Sequence, residues 1–157
     1  MKMLKLIGPF FVETSTFPEE ELDPRVSWIF AKQQKNPHPK TNTDKIGKWM
    51  LFIPENEIHE IWNKVCDGVK SKNLWEAKVC PKVHLKKNEY AIMIYTPDYE
   101  DLDDVKKTLK YITKNILNLK KIIYYKTDDQ TRRHIYSGDK ERSWIYSSSQ
   151  FEIDDLF

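Results

Sequence analysis

Apolar positions along this 157-residue chain change their period several times, and each change marks an element. In GKWMLFIPENEIHEIWNKVCDGV, the run Lys48 to Ile53 reads as a strand that Pro54 ends. Pro54 is also a favourable first helical residue. Beyond it Ile58, Ile61, Trp62, Val65 and Val69 recur at three- and four-residue intervals, the stripe of an amphipathic helix, with Gly68 near its close.

A second unit repeats this order. LWEAKVCPKV and EYAIMIYTP read as strands joined by the lysine-rich turn HLKKN, and Pro97 stops the second. A helix follows from about Asp101 to Leu117, with acids in its first turn, lysines later, and a buried stripe of Leu102, Val105, Leu109, Ile112 and Ile116. KKIIYYK gives another strand, HIYS and SWIYS two shorter ones, and RVSWIF, carrying Trp28, a short strand or loop. This order predicts an α+β domain, a largely antiparallel sheet with its helices packed on one face.

Helices on one face leave the other face to line a groove. Alternation in WEAKVCPK puts Trp75, Ala77 and Val79 on one side, and Glu76, Lys78 and Cys80 on the other, with Lys82 a candidate for that second side. A cation in mid-strand needs either water or an anion opposite it. Lys78 is therefore a candidate anion ligand, with a solvated edge as the plain alternative.

Composition narrows the choice. Apolar residues are 39% and charged residues 32%, the balance of a soluble domain. Residues 1–25, with three prolines and PEEELD, read as an extended arm; residues 26–149 form one domain interrupted by a basic, proline-punctuated loop at 32–46; residues 150–157 are an acidic tail that could dock, bind a partner or fray. A net charge of +2 excludes a bulk field for nucleic acid or an anionic membrane, so any anion site is local. No apolar run approaches a membrane span, and MKMLKLIGPFF is broken by Lys5, Gly8 and Pro9, against a signal peptide. Cys66 and Cys80 lack ligand spacing and read as reduced, buried thiols in a cytoplasmic setting. Four scattered histidines predict no metal site, and neither GxGxxG nor a Walker loop occurs, so no cofactor is expected.

Candidate chemistry gathers in two places. YYKTDDQTRRHIYSG, from Tyr124 to Gly138, carries Arg132, Arg133 and His134. An arginine pair can hold phosphate bidentately, although Asp128 and Asp129 could equally neutralise it. The second place is KVH, Lys82 to His84.

The series GKWMLF, IHEIWNKVCDGV, AKV, YAIMIYTPDYEDLDDVKKTLKYI and IIYYKTDDQT resembles, in order and spacing, the small family around the basophilic-leukaemia-expressed protein, which carries a phosphothreonine lyase label. That family is similar, at a distance, to the cap-binding translation initiation factor 4E. The resemblance covers residues 47–147 and implies a curved antiparallel sheet backed by helices, with a nucleotide pocket on the concave side. In the cap-binding factor two tryptophans sandwich a methylated guanine, a glutamate holds the base edge and basic side chains hold the phosphates. Trp28 stands near the first stacking position, whereas NPHPKTNTDKIG offers no Trp-Glu pair for the second. Lys78, Lys82, His84 and Lys86 lie in the strand and turn matching that factor's basic region.

Three functions remain open at this stage. The first is a domain binding a phosphorylated small molecule, a nucleotide or RNA through Lys78, Lys82, Arg132, Arg133 and His134, with Trp28 as base stacker. The second is a lyase eliminating phosphate from a phosphopeptide, in which Lys82 removes the α proton and His84 protonates the leaving oxygen, roles implied by the Lys-x-His element of phosphothreonine lyases. The third is a protein-interaction module using the helical face or the acidic tail.

Overall fold

Seven strands form one sheet in the computed structural model, which describes residues 11–12, 17–33, 43–85, 87–118, 121–133 and 143–151. They are β1 (Phe11–Val12), β2 (Trp28–Lys32), β3 (Gly47–Pro54), β4 (Glu76–Val79), β5 (Glu89–Thr96), β6 (Tyr124–Thr127) and β7 (Tyr146–Ser147). Their order across the sheet is β1-β2-β4-β5-β3-β6-β7, so the two eight-residue strands β3 and β5 sit together at the centre. Every pairing is antiparallel except β1 with β2. The result is the α+β class, a curved and largely antiparallel sheet with its helices on one face.

Strict alternation decides which face the helices cover. Ile29, Ala77, Ile92, Trp49 and Tyr125, one from each of five strands, all point to the same side and are fully buried. Against them lie α1 (Ile58–Lys70) and α2 (Leu102–Tyr111), which continues as a π-helical turn, Ile112–Ile116. Ile58, Trp62, Val65 and Val69 of α1 meet Val105 and Leu109 of α2 in this core. Each such side chain contributes about 1.5–3 kcal/mol by leaving water. Trp49 also donates its indole N–H to the Val105 carbonyl at 3.1 Å, which fixes α2 over the middle of the sheet.

Two glycines are explained by close approach. A Cβ at Gly47 would overlap the ring of Tyr125, and one at Gly68 would lie 2.8 Å from Leu74 and 2.9 Å from Tyr111. Gly47 therefore lets β6 lay its tyrosine flat across the start of β3, where the Tyr125 hydroxyl meets the Thr96 hydroxyl.

Three local readings need correction. Pro54 is the last residue of β3, but α1 begins at Ile58 after a turn closed by the Glu57 N–H on the Pro54 carbonyl, so the proline ends a strand without opening a helix. The helix expected from Asp101 to Leu117 is found as α2 continued by the π turn, but Leu102, expected in its buried stripe, is 46% exposed. The segment after Thr127, expected to be loop, begins with a short helix, α3 (Asp128–Arg132). Its capping box explains it: the Thr127 hydroxyl accepts the Gln130 N–H at 3.0 Å, and the Gln130 side chain accepts the Thr127 N–H at 3.0 Å. The expected HIYS strand, most of the basic loop and residues 152–157 lie outside the described residues.

The arm from Phe17 to Val26 packs on the main body. Phe17 stacks on His59 of α1 at 4.1 Å, Glu19 meets His59 Nδ1 at 2.9 Å, and the Pro18 carbonyl accepts the Lys82 N–H. Among the described residues no helix is long and apolar enough to cross a membrane.

Candidate functional site

The face of the sheet opposite α1 and α2 is organised in rows that run across the strands. Pairing registers place Lys32, Glu76, Tyr95, Lys48 and Lys126 in one line across β2, β4, β5, β3 and β6. The adjacent line, two residues along each strand, is Phe30, Lys78, Met93, Met50 and Tyr124. One row is charged and the next mostly apolar, with Lys78 inside it.

Lys78 is the unusual member. Its ammonium stands 4.1 Å from the centre of the Trp28 ring and 5.7 Å from that of Tyr95. Both are cation–π distances. Among the described residues it meets these rings and no carboxylate or other hydrogen-bond acceptor. Burial pushes its pKa down to about 8, and the charge of Lys48 pushes the same way, against weaker opposing pulls from Asp128 and Glu76. Lys78 is thus a cation that the fold has partly dehydrated without an anion in contact among the described residues.

Two neighbouring cations, Lys48 and Lys32, are ion-paired. Lys48, 4% exposed, donates to Asp128 Oδ1 at 2.8 Å and to Thr131 Oγ1 at 2.9 Å, both on α3. Its ammonium is also 5.7 Å from the Tyr95 ring, so Tyr95 lies between Lys48 and Lys78. Lys32 pairs with Glu76 at 3.6 Å, and Lys126 is buried and already partnered. Burial drives the Tyr95 phenol far above its ordinary range, so it stays protonated and able to donate. Farther along, Phe52 and Tyr124 are 58% and 36% exposed, and Trp144 packs against Tyr124 at 4.8 Å.

The residues singled out from the sequence fall into three groups. Lys78 and Trp28 are brought together on the open face. Arg133 lies beyond α3 at the Lys48 end of the sheet, where its side chain pairs with Asp129 at 3.1 Å; His134 and the side chain of Arg132 lie outside the described residues. Lys82 and His84 form a short 3-10 turn past the other end of β4. There Lys82 is exposed beside Glu20, Glu21 and Leu22, while His84 Nε2 donates to the carbonyls of Pro24 at 3.1 Å and Val26 at 2.9 Å. That ring nitrogen anchors the arm. The structure does not bring Lys82 and His84 to Lys78.

Sequence reasoning missed Lys48, Tyr95, Met50 and Met93. A usable signal existed, because Lys48 alternates with Trp49 just as Lys78 alternates with Ala77 and Val79, and Tyr95 closes the alternation of AIMIYT.

Comparisons with known proteins agree with the fold. Schistosome eIF4E complexed with m7GpppA and 4E-BP has a TM-score of 0.51 at 12% identity, over 66% of this chain and 58% of its own. Ascaris suum eIF4E-3 with an m2,2,7G cap has a TM-score of 0.50 at 10% identity, over 73% and 64%. The chain therefore spans less than two thirds of the length of either structure, and the likeness shows a shared fold. No curated protein matches the chain. The family model described as basophilic leukemia-expressed protein Bles03 matches residues 39–132, more than half of the sequence and all of the sheet from β3 to β6. The chain belongs to the Bles03 family.

Proposed function

We propose that the protein binds a phosphorylated or nucleotide-like ligand on the open face of its sheet. The observation that carries this reading is the Lys78 ammonium, held over Trp28 and beside Tyr95 with no acceptor among the described residues. Such a group gains more from an anion than a hydrated surface lysine does, because part of its desolvation is already complete in the free protein. Binding exchanges a cation–π contact for a charge-assisted hydrogen bond. It also uncovers the Trp28 ring face that Lys78 occupies, giving a planar group a surface to stack on.

Tyr95 sits within reach of the same position and donates a second hydrogen bond, while Lys48, tied to α3, adds field without moving. The cap-bound eIF4E structures lend support through a shared fold. Two buried free thiols, with Cys66 raised to about 12 by burial, support a reducing, cytoplasmic setting. A thermal-shift screen across nucleotides, capped RNA fragments and phosphopeptides tests the reading, since only a ligand that prefers the folded state raises the melting temperature. Stabilisation that disappears in Lys78→Met is expected; stabilisation that persists in that variant overturns the assignment.

A further inference from the structure

Lys78 differs from both the paired and the solvated lysines of the chain. Lys48 donates to Asp128 and Thr131, Lys32 meets Glu76, Lys64 meets Glu60, and Lys45 meets Glu100. Lys70, Lys107 and Lys114 stand exposed to water. The half-buried Lys78 has instead the Trp28 ring centre at 4.1 Å and that of Tyr95 at 5.7 Å, with no acceptor in contact among the described residues.

These surroundings favour the neutral amine. Burial withdraws water from the ammonium, and no carboxylate in contact replaces it. Of the charges that reach Lys78, that of Lys48 on β3 acts most strongly and disfavours the proton. Asp128 on α3 and Glu76 on β4 each oppose it less, and each already holds a lysine of its own. Trp28 on β2 and Tyr95 on β5 bring rings without charge. A desolvated lysine beside a second cation is an activated nucleophile. With a pKa of about 8, about a quarter of Lys78 is neutral at pH 7.5, against about 0.1% of a lysine at the ordinary 10.5.

Aldehydes suit such an amine. The nitrogen lone pair attacks the carbonyl carbon, the carbonyl oxygen takes up a proton and the nitrogen gives one up, leaving a carbinolamine. Loss of that hydroxyl as water, with a second proton from the nitrogen, forms the C=N bond. One amine and one aldehyde thus yield one imine and one water, with no oxidant or reductant consumed. Tyr95, 5% exposed and kept protonated by burial, is a neighbouring hydrogen-bond donor for the departing oxygen. Trp28 offers a flat surface to an aldehyde carried on a ring.

We infer that Lys78 is a nucleophilic amine that captures an aldehyde, best one borne on a planar ring, as a covalent imine on the face opposite the helices. Such capture goes beyond the anion binding proposed above and requires no phosphate on the ligand.

Labelling the full chain at pH 7.5 provides the test, with two probes used below one equivalent: pyridoxal 5′-phosphate and the phosphate-free pyridine-4-carboxaldehyde. Borohydride then fixes any imine as a secondary amine, and digestion with mass spectrometry locates it. Lys78 is expected to carry at least about tenfold more label than Lys70, Lys107 or Lys114 with either probe, and to lose that preference in denaturing urea. Lys78→Met, checked for folding by circular dichroism, should remove the dominant labelled position; the unaltered chain carries the test by itself if that variant misfolds. Label spread evenly over the exposed lysines, with Lys78 no richer than Lys107, would overturn the inference and leave the anion reading to its thermal-shift screen. Preferential labelling of Lys78 by both probes, with no stabilisation by any phosphorylated compound in that screen, would sustain the imine and overturn the anion reading alone.

Discussion

Along β3, Trp49, Leu51 and Ile53 go under the helices while Lys48, Met50 and Phe52 go to the uncovered side, and the neighbouring strands divide in the same way. The covered side is apolar and dry, with its few polar atoms paired, as the Trp49 indole is with the Val105 carbonyl. The opposite side holds lysines, several of them buried, methionines and the exposed rings of Phe52 and Tyr124, and one of its cations has no counter-ion among the described residues. The first arrangement lowers the free energy of the folded chain. The second spends some of that stability, and under the proposed function it does so to keep a group ready for a ligand.

That contrast has measurable consequences, and the greatest lies on the covered side. Trp49→Ala should cost about 3–5 kcal/mol, because it leaves a cavity between sheet and α2 and removes the indole bond to the Val105 carbonyl. Equilibrium urea unfolding measures it; a loss below about 1 kcal/mol would mean that the two faces are energetically alike. Next comes the link between the faces. Asp128→Ala should cost about 2 kcal/mol, since it deprives a lysine 4% exposed of its carboxylate.

Lys78 should respond with the opposite sign. Its pKa is about 8 in the folded protein, against an ordinary value of 10.5, so the unfolded chain binds the extra proton between those limits. The charged lysine therefore destabilises the fold below pH 8, progressively less between pH 8 and 10.5, and not at all above. Lys78→Met should raise stability by about 2 kcal/mol at pH 7, with a smaller gain at pH 9.5. A variant that is less stable than the parent at pH 7 would make Lys78 an ordinary structural residue. The smallest effect belongs to Phe52→Ser, expected within about 0.5 kcal/mol because the ring is 58% exposed. Thermal unfolding at matched concentration detects a departure from that range.

Much of the architecture was legible because it is periodic. The stripes of α1 and α2 and the alternation of β4 and β5 each declare a buried side, and α+β packing followed from their order. Short elements escaped. Five residues of α3 are too few to show an apolar period, although Thr127 and Gln130 carried the capping-box spacing. β1 pairs in parallel across a gap of seventeen positions, Phe11 with Trp28, which no local pattern encodes. In the candidate site, alternation singled out Lys78 correctly as a residue of the face opposite Ala77 and Val79. It could not show that Lys48 is held by Asp128, 80 positions later, nor that Lys82 and His84 turn away at the far end of β4 to hold the arm. Those outcomes depend on which segments the topology brings side by side.

The tie between Lys48 and α3 also bears on the order in which the molecule assembles. Strands β4, β5 and β3 can pair once the chain reaches Thr96, but Lys48 finds Asp128 and Thr131 only after β6 has crossed to the other side of β3. Contacts of such long sequence separation are slow to form. Were the central sheet to pair before β6 arrives, the Lys48 ammonium would stand at its edge without its partners, and α3 would then act as a late latch on it.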